Sequence, residues 1–462
     1  MALCKVRKYP VVLLCCLALG FAGCNPQKAQ MEAFNRQFQA GRYDSAAKFA
    51  QQKARIDNPR PKREDLLWTL QLAGVERIRG DFSASTKYLD KSEEKLNYFD
   101  YESPAVRGLA ATLATDNILP YVGTKYDRIM VNTYKALNFI FEDDPEHARI
   151  EFNRALDRQR RAKERFEAEI SKLQDEISQQ RSAAGIERTI NNPQVMRRIY
   201  ERYPSLRDFE VYPDFINPFT TYLAGIFFAM DDDLARAADM FRESYGMVSD
   251  NPYIEADLAG VEEALDYGYE VSDNVWVIFE NGLGPVKREF RVDLPLYLVS
   301  DQVRYAGIAL PMLEYRHSAY PHLLVRTADG EYRTELVASM DRVINTEFEK
   351  EFQATLIRSL ASAAVKTVAQ YSLSRDQGDP AALLMSIYSV LTTSADVRIW
   401  STLPKNFQAA RVEMPPDGRI SVVPPGVPGS EIKINLPECK NALIYIIIPH
   451  RHAEPVHRVV AW

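Results

Sequence analysis

The spacing of apolar residues changes once along this chain, and that change limits the fold more than any other feature. From Met31 to about Gly268, apolar residues recur at helical steps, as in helices with one buried face. After Tyr269 the pattern becomes short runs of Val, Ile, Tyr and Phe, punctuated by Asn-Gly, Asp-Gly and proline pairs, which is the grammar of strands and turns. Helices followed by strands predict an α+β chain, with a helical domain over 31–268 and a β-sheet or sandwich domain over 271–462. A chain of 462 residues can supply two or three cores.

Within the helical half one turn recurs. Gly41, Tyr43 and Ala46 stand between two apolar-periodic segments, and Gly80, Phe82 and Ser85 repeat them 39 residues later. The small third residue lets the second helix approach the first, while the aromatic fills the wedge between them. Asp143, Pro145 and Ala148 echo the pattern, as do Asp232, Leu234 and Ala237, so four helical hairpins are expected. They resemble tetratricopeptide repeats without the full set of signature positions, and such hairpins stack into a curved solenoid whose concave side binds a peptide or partner domain. An ordinary helical bundle that supports the second domain is the alternative. The third hairpin runs on as a long arm over about 146–203, since no Pro or Gly interrupts Glu146 to Ala184. Phe166, Ile170, Leu173 and Ile177 give a short coiled-coil seam, its mixed charges read as a solvated face, and Asn191-Asn192-Pro193 turns the chain back so that Val195 to Tyr203 can pair with it.

In the second half, turn residues predict hairpins joining Val275–Glu280 to Val286–Val292, Leu323–Thr327 to Glu331–Val337, and Arg411–Met414 to Arg419–Val423. Glu431–Leu436 is expected beside Ala442–Ile448, whose apolar composition marks a central strand, and His457–Trp462 closes the sheet. A helical pair is inserted around 346–395. Its first member, Thr346 to Tyr371, has one apolar stripe; its second, Pro380 to Thr393, is apolar nearly all round and must be covered by its neighbour and the sheet, or by a lipid or partner.

The N-terminus carries an address. Lys5, Arg7 and Lys8 precede an apolar run from Val11 to Leu19 that is too short to span a bilayer, and Ala22-Gly23-Cys24 follows. This resembles a bacterial lipobox, with Phe21 where leucine is usual. It implies a lipoprotein signal peptide over 1–23, acyl chains such as palmitate on Cys24, and a lipidated tether over 24–30. Acyl chains hold a protein to a membrane at ~0.8 kcal/mol per buried methylene. In Gram-negative lipoproteins an aspartate after the cysteine favours the inner membrane; the residue here is Asn25, which favours the periplasmic face of the outer membrane. Cys4, Cys15 and Cys16 leave with the signal, so Cys439 remains alone and no intramolecular disulfide can form. Losing three positive charges takes the net charge from −6 to −9, which argues against a nucleic-acid partner.

The sharpest local pattern is Asp396-Val397-Arg398-Ile399-Trp400-Ser401-Thr402-Leu403-Pro404. On an extended segment Asp396 and Arg398 share a face and can pair, Trp400 follows where a guanidinium could stack on it, and Pro404 fixes the exit. The group is expected to clamp the helical insertion to the sheet, or to form a partner or ligand surface. With the lipobox, the degenerate repeats and Leu294-Pro295, these residues resemble a family of uncharacterised proteobacterial lipoproteins over essentially the full length. The resemblance implies, as partners, envelope proteins of the peptidoglycan synthesis machinery.

No Gly-x-Ser-x-Gly turn, phosphate-binding glycine loop or His-Glu-x-x-His helix is present. Gly282-Leu283-Gly284 reads as a turn, and His450, His452 and His457 with Glu454 as a polar strand end in preference to a metal site. The sequence therefore implies no catalytic group, cofactor or metal. Its functional expectation is a protein-binding accessory or scaffold factor of cell-envelope assembly. The alternative is a carrier or enzyme acting on an envelope lipid or glycan through a pocket in the second domain.

Overall fold

Four times in the helical half the chain reverses through the same turn. In the computed structural model, which describes residues 26–58, 60–62, 64–106, 120–183, 193–203, 217–295, 305–374, 394–427 and 429–462, the helices are α1 (Pro26–Gln39), α2 (Tyr43–Ala54), α3 (Asp65–Ile78), α4 (Phe82–Val106), α5 (Lys125–Phe141), α6 (Pro145–Ala183), α7 (Pro193–Tyr200), α8 (Pro218–Met230), α9 (Leu234–Met247) and α10 (Pro252–Tyr267). The pairs α1/α2, α3/α4, α5/α6 and α8/α9 are the expected hairpins. In each, the second residue past the helix enters the left-handed region: Gly41, Gly80, Asp143 and Asp232, at φ 71°, 77°, 58° and 57°. The next amide then donates five residues back, Arg42 to Gln37 O, Asp81 to Glu76 O, Asp144 to Phe139 O and Asp233 to Phe228 O, which ties off the helix end. Ala46, Ser85, Ala148 and Ala237 are each 0% exposed, so the small residue is needed where the second helix crosses the first.

The signal peptide with Cys24, the 191–192 part of the arm's turn and the apolar segment 380–393 lie outside the described residues. The arm itself is helical through α6, and the return segment finds its partners in the second half. Tyr203 packs against Phe290 and Phe352 and donates to Pro311 O.

The strands are β1 (Asn274–Asn281), β2 (Val286–Pro295), β3 (Tyr305–Glu314), β4 (Leu324–Arg326), β5 (Glu331–Arg333), β6 (Glu335–Ser339), β7 (Asn406–Glu413), β8 (Arg419–Val423), β9 (Ile432–Asn435), β10 (Asn441–Ile448) and β11 (Val456–Ala461), with α11 (Met340–Ser374) between β6 and β7. A five-stranded sheet runs β11-β10-β1-β7-β6, a four-stranded sheet runs β5-β4-β8-β9, and β2 and β3 form a ribbon. Only the β1–β10 pairing is parallel among these.

Three expected strand pairings are corrected. β1 does not fold back on β2, because the Gly282 amide donates to Ile448 O and the Gly284 amide to Leu403 O, so the Asn-Gly stretch extends ladders to distant strands. β7 and β8 are joined by a turn with Gly418 N donating to Pro415 O, yet they lie in different sheets; the turn is a corner. β9 pairs with β8, and β10 with β1 and β11. The β4–β5 hairpin, the central place of β10 and the closing strand β11 are as expected.

The layers follow from alternation along the strands. Trp276, Ile278, Leu443, Tyr445 and Ile447 face the helices and share one core with Phe34, Leu70 and Phe227. Val275, Val277, Phe279, Ile444 and Ile446 face the four-stranded sheet, with Val325, Ile420 and Val422. The order is therefore helices, five-stranded sheet, four-stranded sheet. One apolar core crosses the change of spacing at Tyr269 and runs from Met31 to Ile447.

Candidate functional site

Residues 394–405 connect the undescribed 375–393 stretch to β7 and lie against the first helices. The Arg398 fork grips Asp396, Nη2 to Oδ2 at 2.7 Å and Nε to Oδ1 at 2.8 Å, and the Arg398 amide also donates to Oδ1. Burial opposes both charges, but each outweighs that cost for the other, so Asp396 sits below the usual carboxylate range and Arg398 above its own.

The expected stacking of a guanidinium on Trp400 does not form. The Arg398 guanidinium lies 5.8 Å from the centre of the Tyr121 ring. Trp400 is 1% exposed, stands edge-on to Tyr134 at 6.0 Å, and donates from Nε1 to Thr402 Oγ1. The cause is contact with the helices. Gln71 Nε2 on α3 donates to Ile399 O at 2.8 Å, and Ser401 Oγ donates to Asn35 Oδ1 on α1 at 2.6 Å. Gly74 leaves the space into which Thr402 fits, since a Cβ there would stand 2.0 Å from Thr402 Oγ1. Leu403 is fully buried, and Pro404 O approaches Gly284 so closely that a Cβ on the glycine would lie 2.9 Å away. The motif thus fastens α1 and α3 to the second half of the chain.

A second joint was invisible as a sequence motif. Arg77 on α3 and Glu280 on β1 pair at 3.3 Å with side-chain exposures of 1% and 5%. Arg77 Nη1 also donates to Asn138 Oδ1, Tyr134 donates to Glu280 Oε1 at 2.9 Å, and Tyr445 donates to Glu280 Oε2 at 2.6 Å. The guanidinium lies 3.9 Å from the Tyr134 ring centre. Burial works against the Arg77 charge, and the Glu280 carboxylate more than offsets it; burial, then that same carboxylate, pushes both tyrosines well up. The only sequence signal was Arg77 beside Glu76 at the end of one apolar run and Glu280 at the end of another. At a third joint, Asp257 on α10 accepts from Tyr222 at 2.7 Å and from Trp276 Nε1 at 2.9 Å, with Arg411 at 3.2 Å. Burial raises Asp257 to about 6 against the pull of Arg411.

The repeat-turn residues also meet the sheet. Tyr43 Oη and His450 Nε2 are 3.1 Å apart beside Gly41, and Arg458 donates to Gly80 O at 3.1 Å. Phe82 packs on Phe141 and under the Arg77 guanidinium, 5.5 Å away. Burial and the neighbouring His452 lower the His450 pKa. Among the described residues no group of three or more His, Cys, Asp or Glu side chains is placed to hold a metal. A shallow cleft between α1 and β2, walled by Met31, Asn35, Val286 and Val397, encloses about 20 Å³, room for a water or two.

No protein-family model, curated protein or solved structure matches this chain. Its chemistry must therefore be read from its own residues. They offer paired, largely buried charges at three joints, an arrangement that holds surfaces in fixed relation. No described helix is long and apolar enough to cross a membrane.

Proposed function

We propose that this chain is a periplasmic lipoprotein, anchored in the outer membrane through acylated Cys24, that works as a protein-binding accessory or scaffold factor in cell-envelope assembly. The carrying observation is the set of four hairpins closed by one turn geometry. Tetratricopeptide-like arrays are built this way, and they bind peptides or domains along their helix faces. Residues 394–405 already lie along α1 and α3, which leaves the outer faces of α6 and α9 for a partner. Arg160, Arg161, Lys163 and Glu164 on α6 and Arg242 on α9 are exposed there, suited to a partner surface of mixed charge. The family resemblance makes peptidoglycan synthesis machinery the partner class to test first.

The experiment is in-cell photocrosslinking of the full-length lipoprotein from Arg161, Arg242 and, as control, Lys433 on β9, followed by mass spectrometry. One envelope protein captured from α6 or α9 and not from β9 is expected. Equal, unspecific capture from all three would overturn the scaffold reading. Lipid or glycan found bound to the purified protein would favour the carrier or enzyme alternative.

A further inference from the structure

The distance between the anchor and the folded body constrains how the molecule can sit. Cys24 and Pro26 are two residues apart, and α1 begins at Pro26. However those two links are arranged, they span at most roughly 7 Å. From there the body has no slack. Met31, Phe34 and Phe38 are 3%, 0% and 0% exposed, so α1 is fixed in the core one turn after it starts. Beside that first turn stand the start of β2 and the lead into the 394–405 segment: Lys28 Nζ is 3.8 Å from Glu289 Oε1, and the Ala395 amide donates to Glu289 Oε2 at 3.0 Å.

We infer that this end of the molecule, where Lys28, Ala29 and Arg288 are at the surface over the buried Glu289 and Ala395, seats directly on the phospholipid headgroups of the membrane that holds the anchor. The inference rests on acylation of Cys24 as proposed above. Acyl chains buried in the bilayer leave the cysteine at headgroup level, and a two-residue link attached to a fixed helix brings its neighbours to the same level. Charge does not drive the contact. Around the seat Glu289 is paired with Lys28 and Arg291, and Arg288 with Glu32 and Glu314, so the surface is close to balanced and suits zwitterionic lipid as well as anionic. Partners must then approach a body oriented on the membrane, since the chain provides no flexible reach away from it.

The test uses full-length lipoprotein with Cys439→Ser and a fluorophore on Ala29→Cys, Arg288→Cys or Lys433→Cys, in phosphatidylethanolamine and phosphatidylglycerol vesicles containing a headgroup nitroxide lipid. Ala29 and Arg288 are exposed at the seat, and Lys433 is 79% exposed on the third layer. Strong quenching at 29 and 288 with none at 433 is expected, unchanged by high salt. Inserting about ten Gly/Ser residues before Pro26, a reach of roughly 17 Å, should abolish the quenching while the protein stays on the vesicles. Incorporation of alkyne-palmitate, lost in Cys24→Ser, is measured on the same samples. Palmitate-labelled protein with equal quenching at all three sites would overturn the seat alone. Protein that takes up no palmitate would overturn the seat and the anchor together.

Discussion

At the scale of single residues, the Arg77–Glu280 pair tests how the two halves are held. Removing one partner of a buried pair leaves the other charge uncompensated, at about 3–5 kcal/mol. Arg77→Met should therefore destabilise the protein by that order in urea unfolding. Arg77→Met combined with Glu280→Gln should recover most of the loss, because Tyr134 and Tyr445 now donate to separate Glu280 oxygens, and the new amide can keep both partners by accepting from one hydroxyl and donating to the other. A double variant no better than the single one would mean that the attraction itself, and not the stranded charge, sets the cost. These residues could not be picked out beforehand. Burial of a charge depends on what packs over it, and the cover for Arg77 comes from residues 134, 280 and 445.

At the scale of elements, the helix ends carry two predictions. Asp143 and Asp232 hold the left-handed position that Gly41 and Gly80 hold elsewhere, which a side chain disfavours. Asp143→Gly should raise stability by up to about 1 kcal/mol and Gly80→Ala should lower it by a similar amount, both read from urea midpoints. The second concerns the start of α5, where Thr124 and Asp127 form a capping box and Glu347 of α11 accepts from the amides of Lys125 and Tyr126. Burial, then the nearby Glu351 charge, raises Glu347 from 4.5 to about 7. A raised carboxyl contributes its stability below the unfolded pKa and loses it as pH climbs through the folded one, here between about pH 4.5 and 7. Glu347→Gln, which keeps an acceptor without the charge, should gain on the wild type by up to about 3 kcal/mol between pH 5 and 8. An unchanged gap across that range would refute this assignment of Glu347. The turns were legible because each is closed by bonds within a few residues. The strand pairings were not, because Asn281-Gly282 satisfies its amides on strands more than a hundred residues away.

For the whole molecule, the shared core has a thermodynamic consequence. Trp276 and Tyr445 of the sheet are buried against the helices, and Phe34 and Trp68 of the helices lie in the same cluster. Neither half can open without exposing the apolar face of the other. Unfolding followed by the far-ultraviolet helix signal and by near-ultraviolet tryptophan dichroism should therefore give coincident curves. Two separated transitions would show that the halves are energetically independent. The α+β class and the succession of elements could be read from apolar spacing, while the fusion of the halves could not. Apolar spacing says that a face is buried and leaves open what buries it. The Asp396–Arg398 pair was legible because it is local, whereas the seat of Trp400 depended on Gly74 and Tyr134.

The parallel pairing of β1 with β10 sets an order of events in synthesis. Asn274 meets Asn441, 167 residues later in the chain. A polypeptide that crosses a membrane from its first residue to its last delivers β1 long before its neighbour arrives, and Glu280 must wait for Tyr445 as well. The middle of the sheet can only zip shut when the tail arrives, so the new chain stays open there until its last residues are available. Even a short C-terminal deletion that removes β10 should turn the protein into a substrate for proteolysis.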